Sequence, residues 1–109
     1  MDAVIETRLA RIFAALSNRH RLQMYLRLLE ESRIDLSKGR THECFLAKLL
    51  GDARITAPTV SHHVKELSDA GLIRTQREGK QLIISLEPTS LALVKSVFAG
   101  AAARPTATK

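Results

Sequence analysis

The sequence contains a single cysteine and no tryptophan, and aromatic residues make up only 4% of it. Because Cys44 stands alone, no intrachain disulfide can stabilise the fold. A core with so few aromatic rings is modest, and burial of further apolar surface between two copies of the chain would add stability. No apolar run approaches the ~18 residues of a membrane span, and Met1-Asp2-Ala3 lacks the features of a secretory signal. We therefore expect a cytoplasmic protein without a membrane segment.

Positive charge is in excess, since 17 Lys and Arg residues face 11 Asp and Glu residues and give a formal net charge of +6. A small basic domain often has an anionic partner, and nucleic acid is the first candidate. Many small domains are basic without such a partner, so charge alone does not decide. The length of 109 residues fits one domain. We expect this domain over residues 1–101, followed by a flexible tail over 102–109.

Apolar residues recur at helical spacing in five segments. Residues such as the capping pair Ser17-Asn18 and the helix-ending Gly51 bound these segments. Residues 31–41 are polar and predict a loop. The predicted helices cover residues 3–16, from Ser17-Asn18 to about Glu30, 42–50, from Thr56 onward, and 89–101. In the second helix the apolar residues Leu22, Tyr25, Leu26 and Leu29 fall on one face.

The fourth predicted helix has clear boundaries. Thr56 can cap it, and Pro58 falls in its first turn, where a missing N–H costs no hydrogen bond. Gly71 ends it. Its buried face is marked by Val60, Val64 and Leu67.

Strand-like sequence follows this helix directly. The runs 72–76 and 81–86 are short and rich in β-branched and apolar residues, and the polar residues 77–80, with Gly79, predict the turn between them. A third and a fourth helix followed by a hairpin have the order of a winged helix-turn-helix. We therefore predict a mainly α fold of about five helices with a small two-stranded β-hairpin, the wing.

The fourth helix also has the properties of a DNA-recognition helix. Such a helix presents small and hydrogen-bonding side chains to the major groove, and cations on the wing reach a phosphate or a minor groove. The alternative, an ordinary amphipathic helix with a solvated outer face, is disfavoured by the hairpin that follows. The predicted DNA-binding residues are Pro58, Thr59, Ser61, His62, His63 and Lys65 in the helix and Arg74, Arg77 and Lys80 in the wing.

Parts of the sequence resemble the ArsR/SmtB family of winged-helix repressors. Residues 15–22 (ALSNRHRL) are similar to the opening of the family's second helix, and residues 58–67 (PTVSHHVKEL) to its recognition helix. Residues 70–74 (AGLIR) and 77–80 (REGK) resemble the helix exit and the wing. The similarity covers about residues 8–87, although the turn over 51–56 is longer than the family's usual turn.

This resemblance implies a homodimeric, sequence-specific transcriptional repressor. It would bind an inverted-repeat operator in double-stranded DNA and leave it when an effector binds. The first and last helices of each chain would form the dimer interface, and the sequence does supply two apolar terminal helices. The interface residues expected on this basis are Val4, Ile5, Ile12, Leu91, Val94 and Phe98.

The family often carries a Cys-x-Cys metal site on its third helix, and here His42 and Cys44 align with those positions. Both residues are ligands for Zn²⁺ or a softer metal ion, but a tetrahedral site needs about four ligands. The ordinary interpretation, a buried thiol beside a surface or capping histidine, is favoured over a sensor pair. Neither a metal site nor a cofactor is therefore assigned.

No motif indicates an enzyme, since the chain has neither a glycine-rich phosphate loop nor a His-Glu-x-x-His run. Two other functions stay open. One is a metal-independent regulator that responds to oxidation of the Cys44 thiol or to a small organic molecule. The other is a winged-helix protein-interaction module that does not bind DNA. The effector, the operator, the regulated genes and the direction of regulation are all left open by the sequence.

Overall fold

A computed structural model of the chain describes residues 2–36, 56–79 and 81–103. Within these ranges the chain forms four helices and a three-stranded antiparallel sheet. The predicted third helix, 42–50, lies outside the described residues. In chain order the elements are α1 (Ala3–Leu16), α2 (Arg19–Glu31), β1 (Arg33–Asp35), α3 (Ala57–Asp69), β2 (Ile73–Glu78), β3 (Gln81–Leu86) and α4 (Pro88–Ala103).

Three of the helices begin at a side chain that accepts hydrogen bonds from the unpaired amides of the first turn. Asp2 caps α1 by accepting from the Val4 amide at 2.7 Å. Asn18 caps α2 in the same way, and Thr56 caps α3 with a proline in its first turn. The predicted starts of the second and fourth helices are therefore confirmed.

The prediction that residues 31–41 form only a loop is wrong, because Arg33–Asp35 is a strand. β1 pairs antiparallel with β3, and the buried Ile34 faces Ile84 in the register. Amide-to-carbonyl bonds from Leu36 to Leu82 and from Leu86 to Ser32 extend this pairing at both ends. The residues of β1 lie in a polar segment of the sequence and show no strand-like pattern of their own. They form a strand because they pair with β3.

The hairpin is longer and its turn tighter than predicted. β2 and β3 pair from Ile73↔Leu86 to Glu78↔Gln81, so the predicted turn residue Arg77 belongs to a strand. Only two residues connect the last facing pair, and Gly79 has a φ of +58°. Two-residue hairpin loops require positive φ, which glycine adopts without a steric cost.

The hydrophobic core lies between the sheet and the inner faces of α1, α2 and α3. In α3 the predicted buried face is confirmed at all three positions. In α2 the prediction is right for Tyr25 but wrong for its three leucines, which are 37–50% exposed along one side of the helix. Met24 and Leu28 are buried in their place.

A close junction connects the end of α3 to the start of α4. Gly71 has a φ of +76°, and the buried Ser90 hydroxyl donates a hydrogen bond to the Gly71 carbonyl. A Cβ atom at position 71 would lie 3.3 Å from the Ser90 oxygen. Glycine adopts this left-handed backbone without strain, and any larger residue would also displace the Ser90 hydroxyl slightly.

The last helix ends two residues later than predicted, since α4 runs to Ala103. The proposed tail from 102 therefore begins inside the helix, and residues 104–109 lie outside the described ranges. The predicted winged-helix fold, mainly α with a β-hairpin, is confirmed, with β1 as an additional strand. None of the helices in the described ranges has the length and hydropathy needed to cross a lipid bilayer.

Candidate nucleic-acid interface

The outer face of α3 carries the side chains that would meet a DNA groove. Because Val60, Val64 and Leu67 of this helix face the core, five of the predicted DNA-binding residues are exposed to solvent. The Thr59 hydroxyl lies 3.0 Å from that of Thr56, so it is partly used in ordering the first turn. The exposed residues are Pro58, Thr59, Ser61, His62 and Lys65.

His63 does not belong to this outer face, and its prediction as a projecting DNA-binding residue is wrong. Its side chain is only 5% exposed. The ring lies beside Arg21 and His20 of α2, with 5.9 Å between the His20 and His63 ring centroids. The residue thus forms part of the contact between α2 and α3.

Lys65 is exposed but not unpaired. Its ammonium group lies 2.7 Å from the carboxylate of Asp69, one turn further along α3. This hydrogen bond and the Asp69 charge raise the pKa of Lys65 above its usual value. Because the pair is exposed, it is a weak contact that a phosphate can replace.

The two arginines of β2 project to opposite faces of the hairpin because they are three residues apart. Arg77 lies on the same side as Thr75, and both line an open groove of about 280 Å³ between the hairpin and α3. Ser61, Lys65 and Ser68 line the other wall of this groove. Thr75 and Ser68 were not predicted, although the alternation along β2 would have placed Thr75 beside Arg77.

Arg74 faces the other way and donates to the carboxylate of Glu87. Its side chain is 65% exposed, whereas that of Glu87 is 16% exposed. The third predicted wing cation, Lys80, lies outside the described residues. Of the two wing arginines predicted to bind DNA, Arg77 shares a groove with α3 and Arg74 does not.

Glu87 connects the wing to the first turn of α4. It precedes the helix and accepts hydrogen bonds from the Thr89 hydroxyl at 2.8 Å and the Thr89 amide at 3.1 Å. The Thr89 hydroxyl bond, then the Arg74 bond, lower the pKa of Glu87 from 4.5 to about 2. The carboxylate is therefore ionised throughout the physiological range.

We expect Glu87→Gln to lower the free energy of unfolding at pH 7. The ionised carboxylate stabilises the folded chain at every pH above 4.5, and this contribution is lost as the pH falls through about 2. Urea unfolding of both proteins across this range is the measurement. The two curves should converge near the acid end, and equal stabilities at pH 7 would contradict the assigned contact.

An exposed apolar face extends over α1 and α4. Val4 is 66% exposed and Phe98 54% exposed, and the Phe98 ring packs edge-on against Phe13 with 6.1 Å between centroids. Ile5, Leu91 and Val94 of the same two helices are partly buried. Ile12 is 1% exposed and lies in the core, so its prediction as an interface residue is wrong.

The helix α4 is apolar on nearly every side, with Lys95 as its single charged residue. Between residues 88 and 100, Ser90 alone is buried. An apolar helix with so little of its surface covered is typical of a subunit interface.

The candidate sensor pair, His42 and Cys44, lies outside the described residues. Within the ranges that the structure describes, no group of three or more His, Cys, Asp or Glu side chains is arranged to hold a metal ion.

Comparison with known proteins gives structural matches only. No family model matches the chain, and no curated protein is similar to it in sequence. Several solved structures are similar along nearly their whole length.

One is a crystal structure of an ArsR-family transcriptional regulator, with a TM-score of 0.69 and 24% identity over 92% of this chain and 96% of that one. Another is HlyU from Vibrio cholerae, with a TM-score of 0.62 and 17% identity over 91% and 99% of the two chains. A third is a homodimeric winged helix-turn-helix DNA-binding domain from Mycobacterium bovis, described as a possible ArsR-family regulator, with a TM-score of 0.59 and 21% identity over 98% and 90%. At these identities the likeness concerns the fold, and this chain has the winged-helix fold of these transcriptional regulators.

Proposed function

We propose that this protein is a homodimeric DNA-binding transcriptional regulator that reads its operator with α3 and the wing. The observation that carries the proposal is the groove in which the exposed Ser61 and Lys65 of α3 lie opposite Arg77 of β2. Hydroxyl and ammonium groups bind base edges and phosphates, and the arginine adds a phosphate contact from the wing.

The proposed dimer forms through the apolar face of α1 and α4. A two-fold arrangement of this kind presents two copies of α3 to two half-sites of an inverted repeat. The exposed Phe98 and Val4 support this arrangement. The similar domain from Mycobacterium bovis is described as homodimeric.

We further propose that the protein represses transcription and leaves its operator when an effector binds. The resemblance of residues 58–80 to the ArsR/SmtB family supports this proposal. The Lys65–Asp69 ion pair makes the α3 side of the groove only mildly basic.

The decisive experiment compares Asp69→Asn with Glu31→Gln. Each variant removes the acidic partner of an exposed i,i+4 ion pair, Lys65–Asp69 or Arg27–Glu31, and raises the net charge equally. Glu31 adjoins β1, which lies at the opposite edge of the sheet from β2. Affinity for a fluorescent duplex of about 30 base pairs, long enough for two half-sites, is measured by anisotropy over a range of salt concentrations.

We expect Asp69→Asn to raise the affinity roughly threefold, because it releases Lys65 from an exposed ion pair and removes a charge that repels phosphate. Glu31→Gln should have a smaller effect, and the affinity of all three proteins should fall steeply with salt. Equal gains for the two variants would mean a general attraction of a basic chain to DNA. Absence of DNA binding at low salt would favour the protein-interaction module.

A further inference from the structure

The contact between α2 and the recognition helix contains an unusual group, the buried imidazole of His63. Its Nδ1 atom lies 3.4 Å from Nη1 of Arg21, and its Nε2 atom is buried with no hydrogen-bond partner among the described residues. An arginine guanidinium only donates hydrogen bonds. His63 Nδ1 must therefore be the acceptor, and the ring is neutral with its proton on Nε2.

Arg21 itself is firmly placed. Its Nε atom donates to the Ala15 carbonyl at 2.7 Å, and its amide donates to the cap Asn18 at 3.2 Å. The guanidinium thus connects the end of α1 and the start of α2 to the middle of α3. His63 is the residue through which α3 receives this contact, and its neighbour His62 is on the exposed face of the helix.

A proton on Nδ1 would change this contact completely. The ring would become a donor facing a donor, and a cation buried against the Arg21 guanidinium. Among the residues that the structure describes, the other titratable groups that face His63 are His20 of α2 and His62 of its own helix. Two carboxylates of α3, Glu66 and Asp69, line the open cavity that Arg21 also lines with Arg11.

We propose that His63 is a proton-sensitive positioning residue, whose neutral ring holds α3 in its reading orientation through Arg21 and whose protonation displaces the helix and weakens DNA binding. The inference rests on the proposed DNA-binding function for its last step. Its first step is the destabilisation of the α2–α3 contact when His63 is protonated, and this step does not require DNA binding.

The direction of the pH effect follows from the surroundings of the ring. Burial, followed by the charges of Arg21, His20 and His62, lowers the pKa of His63 from its usual 6.5. The stabilising contribution of the neutral ring is therefore complete above pH 6.5 and decreases as the pH falls below it, until the lowered pKa of the folded state has been passed. Exposed histidines act in the opposite direction on DNA affinity, since their protonation adds positive charge.

The test compares wild-type protein with His63→Gln, whose amide oxygen can still accept from Arg21 but does not titrate. Urea unfolding and binding to a mixed-sequence duplex are measured between about pH 7.5 and pH 5, the range in which histidine titrates. Relative to the variant, the wild-type unfolding constant should increase about tenfold for each unit by which the pKa of His63 is lowered. The relative DNA affinity of the wild type should fall over the same range.

His62→Gln is the matched control for the unfolding measurement, because it removes the neighbouring exposed imidazole, the smallest of the causes that lower the His63 pKa, and should leave most of the acid destabilisation in place. Should His63→Gln not fold, NMR titration of the His63 ring in the wild type and in Arg21→Gln provides the same information. The wild-type pKa should lie below 6.5 and rise in the variant.

A His63 pKa at or above its usual value, or the same pH profile in wild type and His63→Gln, would overturn the positioning role. An unfolding profile as expected with no DNA binding at any pH would instead overturn the proposed function. The wild type could also lose stability at low pH as expected while its DNA affinity relative to His63→Gln stays constant. His63 would then stabilise the fold without positioning α3.

Discussion

The double replacement His62→Ala and Lys65→Ala should reduce the affinity for duplex DNA by roughly a hundredfold while the melting temperature stays near that of the wild type. The variant loses two contacts to the DNA major groove, each worth about 1–3 kcal/mol. Loss of the lysine also makes DNA binding less dependent on salt. Both side chains are exposed, so their removal creates no cavity in the core. Fluorescence anisotropy and thermal unfolding are the two measurements.

Arg27→Ala is the matched control for this variant. It removes the cation of the other exposed i,i+4 ion pair and leaves Glu31 alone, just as the loss of Lys65 leaves Asp69 alone. Its effect on DNA affinity should be a few-fold at most, because an exposed charge far from the interface acts only through screened electrostatics. Unchanged DNA binding by the double variant would refute the assignment of α3 as the reading helix.

Phe98→Asp should convert the proposed dimer into a monomer. Phe98 is 54% exposed on α4 and packs against Phe13 of α1. A carboxylate buried there between two subunits would weaken dimerisation roughly 30-fold or more, the effect expected for a central aromatic residue of an interface. Analytical ultracentrifugation measures this change. Affinity for an inverted repeat should fall with it, because a monomer engages one half-site only.

Ser96→Asp introduces the same charge on the same helix and serves as the control. Ser96 is exposed and lies two residues before Phe98, which places it about 200° away around α4. Its dimerisation should resemble that of the wild type. If both variants remain dimeric, the apolar face of α1 and α4 is not the subunit interface.

The helix α3 is the most predictable element, because several independent local signals agree there. Thr56 caps it, Pro58 fits its first turn, and three apolar residues repeat at helical spacing. The error at His63 was avoidable on the same grounds. Position 63 is three residues after Val60 and four before Leu67, so it falls on the buried stripe of the helix.

In α2 the apolar pattern was too broad to define one face. Six of the eight residues from 22 to 29 are apolar, so they cover most of the circumference of the helix. Which of them become buried is decided by the neighbouring elements, and the structure buries Met24, Tyr25 and Leu28. The core of a helix this apolar is set by tertiary packing rather than by its own periodicity.

β1 was not predictable from local sequence at all. It has three residues, and its partner strand lies about 50 positions further along the chain, with Arg33 opposite Ser85. Pairings of that separation are determined by the assembled fold. The interface residues depended on the family resemblance in the same way, and Ile12 shows that an apolar residue on a terminal helix can belong to the core instead.

The first turn of α4 has two attachments to the reading head. Glu87 binds Arg74 of β2, and Ser90 binds the carbonyl of Gly71 at the end of α3. In the proposed dimer α4 is also the helix that meets the second subunit, so the wing, α3 and the interface are all connected through α4 and the residue before it. The distance between the two reading heads is then a property of how the two α4 helices cross. A change in that crossing angle would therefore change the spacing of both heads relative to successive turns of the DNA.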